Sequence, residues 1–426
     1  MKTFSIVVLF TVLFSYFFVL DDPLDQDIQV FITHYNNNHQ ITGNGSIYQL
    51  GFWAEISESP GQIGRWRLQQ YKNALNNLKP GEKVDYEDYP EEYLINEIYP
   101  DQENPEFLCD IQISSCFNYL YENIENITPL IEEKFWYIER YEALMAFKHF
   151  TLYEKPSHSV PEPSFGPSSD ILQLKLIALI DNFKAGNIES ATLAIEELII
   201  FHKNVLEQTP YIAPKIMSII ELEMVIETAS FLISKTEREK LNQWQRVIDH
   251  LTHLSEQQLS MKKTFVHDFI AQVNSLDNVN IAQYSGELPG VVNLLPARLL
   301  YKKNMTINML YQWMTSNHGL ISFKNNKIVV REKTNVQEIL SFNYQNPVGS
   351  ILAVAMAPKL LNLEHFLYEI EVKQQMVKFL FKHKNNRALK TEFISPYTGE
   401  NAKIIEQLFC VSTDNDAEND ICITYF

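Results

Sequence analysis

The chain has 426 residues, 46% of them hydrophobic and 12% aromatic, enough apolar matter for a large packed core and too much for an intrinsically disordered protein. Its 53 acidic against 35 basic residues give a formal charge of −18, which argues against nucleic acid or anionic lipid headgroups as the main partner, because phosphate recognition needs concentrated positive charge. Only 13 residues are glycine, few for phosphate-binding loops or a many-turned β fold.

Residues Thr3 to Leu20 carry no charge and are flanked by Lys2 on one side and by Asp21 and Asp22 on the other. As a helix this run spans about 27 Å, close to the ~30 Å thickness of a hydrocarbon core. Beside a buried core helix at the extreme N-terminus, two export roles are open, a cleaved signal peptide or an uncleaved signal-anchor. The run ends in Phe17, Phe18, Val19 and Leu20 rather than in the small residues of a cleavage site, which favours the anchor. The positive-inside rule then places residues 21–426 outside the cytoplasm. The Asn-, Lys- and Ile-rich composition points to a bacterial chain, so the expected location is the inner membrane, crossed once, with the bulk periplasmic. Cleavage would instead release a periplasmic or secreted protein. In such an oxidising compartment Cys109, Cys116, Cys410 and Cys422 fall into two local pairs. The simplest of three connectivities is 109–116 with 410–422, each bond contributing roughly 2.5–3 kcal/mol. Neither spacing is that of a zinc knuckle.

Residues 21–58 read as extended and polar, with Ser46 to Glu55 as a short strand or packed arm. Ser59, Pro60 and Gln62 then spell a helix start, and Ile63, Trp66, Tyr71, Ala74, Leu75 and Leu78 follow at helical spacing. Residues 79–106 are acidic, proline-punctuated and loop-like. Helical periodicity covers about 110–153, with a break or kink at Pro129. The proline-rich stretch 156–170 is a linker or long crossing loop between an N-terminal region, 21–155, and a helical-hairpin domain, 171–391. Asp170 caps a helix that runs to about Lys184 and ends at Gly186, and its partner covers about 188–207. Residues 185–191 form the turn, which resembles that of a tetratricopeptide-type repeat without a second copy. Helices are expected at about 215–234, 237–254, 256–275, 305–317 and 348–382, the last bent at Pro358, with a loop at 276–295.

Residues 392–426 change character. Leu408 to Ser412 and Ile421 to Phe426 flank a polar turn and read as a β-hairpin that a Cys410–Cys422 bond can bridge. In the turn, Asp414, Asp416, Glu418 and Asp420 place acidic side chains at alternate positions, the oxygen-rich chemistry that calcium favours, although no EF-hand pattern is present. The segment from Ser395-Pro396-Tyr397-Thr398-Gly399 to Ile421 resembles the C-terminal module of exported bacterial proteins such as type II secretion pseudopilins. That resemblance implies a hairpin whose acidic loop holds calcium, the one cofactor considered. The stretches GFWAEISESPGQIGRWRLQQY (51–71) and NPVGSIL (346–352), taken with this hairpin, are similar to uncharacterised, membrane-anchored helical proteins of gammaproteobacteria, a resemblance that brings no activity.

Other chemistry is sparse. His250 and His253 share a helix face but lack a third ligand or an HExxH context. No GxSxG, Walker or GxGxxG motif occurs, so nothing aims a nucleophile at a base or cradles a phosphate. Glu223 and Glu227 share a face and read as a solvated stripe, and the aromatics at 135–137, Tyr311 and Trp313 read as core. Asn44, Asn126 and Asn304 sit in sequons, which matter only in a eukaryotic pathway. The sequence therefore predicts a mainly α protein of packed helical hairpins with a small C-terminal β-hairpin. Its expected function is non-enzymatic interaction or scaffolding in the envelope, with the membrane and a protein as partners. The alternative is an extracytoplasmic hydrolase whose acidic and histidine residues meet only in the fold.

Overall fold

The computed structural model describes residues 20–37, 42–77, 84–90, 114–163, 168–276, 301–317, 321–324, 327–330, 345–356, 363–385, 392–405, 408–413 and 420–424. The leader (1–19), Cys109, Pro358 and the acidic residues Asp414, Asp416 and Glu418 lie outside them.

The strongest helical patterns form the centre. Helices α6 (Ser168–Lys184) and α7 (Ile188–Gln208) make the expected hairpin, closed at Gly186, whose φ of 91° only glycine adopts without strain. Helix α8 (Ile212–Lys235) packs against both and also meets α14 (Leu363–Asn385) and the C-terminal sheet. With 17 of its 24 residues buried it is covered nearly all round, which makes it the axis of the molecule. Helices α4 (Ser114–Glu133) and α5 (Phe135–Met145) pack on α6, so chain from both sides of the proline-rich segment shares one apolar core. Pro129 does not break α4: the buried stripe Phe117, Leu120, Ile124, Ile127 and Ile131 continues past it, and the interruption comes at Lys134.

Residues 21–58 are not extended. They hold α1 (Gln26–Asn37) and α2 (Gly45–Leu50), followed by tight turns. Both helices owe their existence to neighbours. Phe31 of α1 sits among Phe269 and Tyr311, on α11 (Lys262–Ser275) and α12 (Lys303–Asn317). Helix α2 lies against α3 (Pro60–Asn76) so closely that a Cβ on Gly64 would stand 1.9 Å from the Ile47 carbonyl oxygen, and one on Gly51 2.1 Å from that of Pro60. Asn44 caps α2 through its side-chain oxygen and binds Thr151 in both directions, so this sequon residue is a buried staple. Ser59 precedes Pro60 as expected but makes no side-chain cap.

The stretch expected as one helix at 237–254 is a 3-10 turn (Arg238–Trp244) followed by α9 (Gln245–His250). That at 256–275 divides into α10 (Glu256–Leu259) and α11. The Trp244 indole N–H, bonded to Thr236 Oγ1 at 2.9 Å, pins the first of these tight turns. The long 348–382 run is α13 (Pro347–Met356) and α14. Buried Asn346 staples α12 to α13. Its oxygen accepts from Lys302 N and Gly349 N, and its amide donates to Lys302 O and Thr306 Oγ1. Asp21 accepts from the first-turn amides of α12, Asn304 N at 2.7 Å and Met305 N at 3.0 Å, while Asn304 Nδ2 donates to Asp22 O.

Strands β1 (Ile321–Lys324) and β2 (Lys327–Val330) pair as an antiparallel hairpin beyond the sequence expectations. The C-terminal unit is a three-stranded antiparallel sheet, β3 (Lys403–Ile405), β4 (Leu408–Val411) and β5 (Ile421–Thr424), one strand more than the expected hairpin. Cys410 and Cys422 face each other across β4 and β5 and are disulfide-bonded. Cys116 is also oxidised, with Cys109 outside the described residues.

Candidate functional site

The sequence-derived calcium ligands lie mostly outside the described residues. Asp420 alone of the acidic loop is described, and its Oδ1 accepts from Ser412 Oγ at 2.7 Å. His250 pairs with Glu196 at 3.1 Å, beside Arg246 on the same carboxylate, whereas His253 is hydrogen-bonded to Glu371 on α14. The two imidazoles thus serve different carboxylates. Among the described residues no group of three or more His, Cys, Asp or Glu side chains is placed to hold a metal ion.

Buried cations mostly collect backbone carbonyls. Arg140 donates to the oxygens of Phe52, Ala54, Glu55 and Glu58, closing the turns after α2. Lys203 ties His250 O and Thr252 O, and Lys215 ties Leu206 O and Ser260 O, in each case satisfying the carbonyls that a helix end leaves over. Burial lowers the Lys203 ammonium to about 8 and the Lys215 ammonium to about 7. Glu223 and Glu227 are not a solvated stripe. Lys373 of α14 reaches both at 2.7 Å, and Glu227 and Lys373 are buried. Burial pulls the Lys373 ammonium down, but the Glu227 and Glu223 carboxylates raise it by more, so it stays charged.

One polar cluster has no such closure. Tyr141 (α5), His202 (α7) and Glu221 (α8) meet in the core, where the Tyr141 hydroxyl donates to Glu221 Oε2 at 2.9 Å. That hydroxyl lies 3.2 Å from His202 Nε2, and while it gives its proton to the ionised Glu221 it accepts there, a pattern that goes with the Nε2–H tautomer and an unprotonated Nδ1, which lies 3.7 Å from Glu221 Oε2. Burial lowers the His202 imidazole to about 3, so the ring is neutral. Burial likewise raises the Glu221 carboxyl to about 7, against the stabilising pull of Ser168 and Tyr141. Glu221 is 4% exposed, and its Oε1 has no well-aligned hydrogen bond although the Ser168 hydroxyl stands near.

This carboxyl lines a cavity of about 40 Å³, room for a few water-sized groups, walled by Phe52, Trp53, Leu144, Phe201 and Met217. Gln49 contributes a second buried oxygen without a partner. No protein family, curated protein or solved structure matches this chain. The site must therefore be judged on its own chemistry. It presents a proton-binding carboxyl and a phenol to an apolar chamber, with a neutral imidazole hydrogen-bonded to the phenol, a set able to bind a hydrogen-bond donor or to move a proton. Sequence spacing hid it, since residues 141, 202 and 221 stand on three helices. The available signal was a histidine and a glutamate inside otherwise apolar helical runs, LIIFH and SIIEL.

On the far side of Phe201 lies a groove of about 790 Å³ between the end of α5 and the outer face of α7. Met145, Ala146, Phe147, Ile200 and Phe201 supply its apolar surface, and Glu142, Lys148, Lys175 and Glu197 stand around it. The groove is built by α7 exposing Ile200 at 45% while burying the opposite face.

Proposed function

We propose that this chain is an envelope protein that works by binding another protein, with its body on the outer side of a bacterial inner membrane and its leader as the anchor. Among the described residues no helix is long and apolar enough to cross a membrane, and the leader lies outside them. The observation that carries the binding reading is the groove beside α7, an apolar floor with charges of both signs around it. Such a surface suits an amphipathic segment of a partner, whose apolar stripe fills the floor while its charges answer Lys148 and Glu197, Lys175 and Glu142 being paired with each other.

The test is a photo-crosslinking residue at position 200, compared with one at Ile404, an exposed apolar site on β3. In the native envelope, position 200 should give a discrete adduct that Phe147→Glu in the same chain removes. Identical adducts from positions 200 and 404, or none from 200, would overturn the reading. A hydrolase is the second reading, favoured by Glu221, whose carboxyl near 7 lies in the range suited to general acid–base work. Turnover of a chromogenic ester, amide or phosphate that Glu221→Gln abolishes would establish it. A wild-type protein inert toward all three classes removes it.

A further inference from the structure

We propose that the chamber between α5, α7 and α8 is a binding site for a primary ammonium group, the charged end of a small organic amine. The inference goes beyond the partner-binding reading and is independent of it, since the groove lies on the other side of Phe201.

The chamber has an excess of acceptors. Gln49 Oε1 is buried without a hydrogen-bond partner, Glu221 Oε1 has only the poorly aligned Ser168 hydroxyl near it, and no Lys or Arg stands among the described residues that line the chamber. A buried carboxylate oxygen with one misaligned hydroxyl beside it is costly, and together with the orphaned Gln49 oxygen it calls for a donor-rich guest. An ammonium group brings three N–H donors and a charge opposite to that of the carboxylate. The walls agree. Phe52 and Trp53 stand edge to face at 4.7 Å, and Tyr141 and Phe201 edge to face at 5.9 Å, giving aromatic surface of the kind that attracts organic cations. A divalent metal ion fits poorly, because it asks for six or more oxygens with several charges and Glu221 is the one carboxylate among the described lining residues. The cavity volume limits the guest to a short chain or to the tip of a longer one.

The groups that face Glu221 are Tyr141 from α5, His202 from α7 and the Ser168 hydroxyl from α6. The imidazole stays neutral and burial keeps the phenol protonated, so Glu221 alone in this cluster changes charge near neutrality. Ammonium binding should therefore strengthen as pH rises through about 7.

The experiment is thermal unfolding of the purified full chain in detergent, titrated with ethylammonium chloride. Sodium chloride serves as the salt control and ethanol as the neutral isostere. At about pH 8.5 ethylammonium should raise the midpoint saturably, with half-saturation no tighter than about a millimolar for so small a ligand. At about pH 5.5, and in Glu221→Gln at either pH, half-saturation should weaken at least about tenfold. Gln49→Leu, which keeps the carboxylate, should weaken it less and decides the matter if Glu221→Gln fails to fold. The proposal is overturned if ethylammonium does no more than sodium chloride, if ethanol matches it, or if both variants respond like the wild type.

Discussion

Helix α3 carries two glycines three residues apart whose surroundings differ completely, and replacing each by alanine should move stability in opposite directions. A Cβ at Gly61 would meet nothing closer than 3.6 Å, the end of the Arg65 side chain. Gly61→Ala should then gain roughly 0.5 kcal/mol from the lower backbone entropy of alanine in the unfolded chain and its better helix preference. At Gly64 the same carbon lands 1.9 Å from the Ile47 carbonyl oxygen, whereas real contacts of this kind keep at least 3.0 Å. Helices α2 and α3 would have to part by about 1 Å, and because the obstacle is backbone no rotamer change can relieve it. Overpacking of this sort costs on the order of 1–3 kcal/mol, and a rigid obstacle belongs at the upper end. The two variants should therefore differ by about 3 kcal/mol in urea unfolding followed by helix circular dichroism. A difference below about 1 kcal/mol would refute the close approach of α2 and α3.

Arg140→Met removes the donors for four carbonyls and should destabilise by about 3–5 kcal/mol in the same assay, with Arg140→Lys retaining part of the loss because an ammonium reaches fewer of them. Glu221→Gln should show no advantage over wild type below about pH 4.5 and an advantage of about 3 kcal/mol above pH 7. The carboxyl titrates at about 7 when folded but 4.5 when not, so the folded state is progressively penalised as pH rises through that window. A series of urea midpoints across pH checks this, and parallel curves would contradict it. Cys410→Ser combined with Cys422→Ser should lose roughly 2.5–3 kcal/mol, read as a lower midpoint that reducing agent then shifts only through the remaining bond at Cys116.

Long amphipathic helices and their punctuation were legible in the sequence. The Ser59-Pro60 start, the turn at Gly186 and the cysteine pair on two short apolar runs all lie where local rules put them. Elements that borrow their stability were not. Helix α2 is six residues long and exists because Asn44 caps it and Gly64 lets α3 approach, which no local pattern announces. The β1–β2 hairpin did leave a mark in ISFKNNKIVV, two β-prone runs separated by Asn-Asn in the sequence. Glu223 and Glu227 differ from a solvated stripe only because Lys373, about 150 residues away, folds across them. The Tyr141–His202–Glu221 cluster follows the same logic, with each member unremarkable on its own helix and their meeting set by how α5, α7 and α8 pack.

Asp21 and Asp22, bonded to the opening turn of α12, bear on the fate of the leader. A processing protease must draw out several residues on either side of the bond it severs, and here the downstream residues are already engaged as soon as the greasy run ends. In the folded body the Asp21 carboxylate and the Asp22 carbonyl are both held at the start of α12. On the proposed anchored reading, a cut at this bond would have to precede folding, and a chain that folds first would keep residues 1–20.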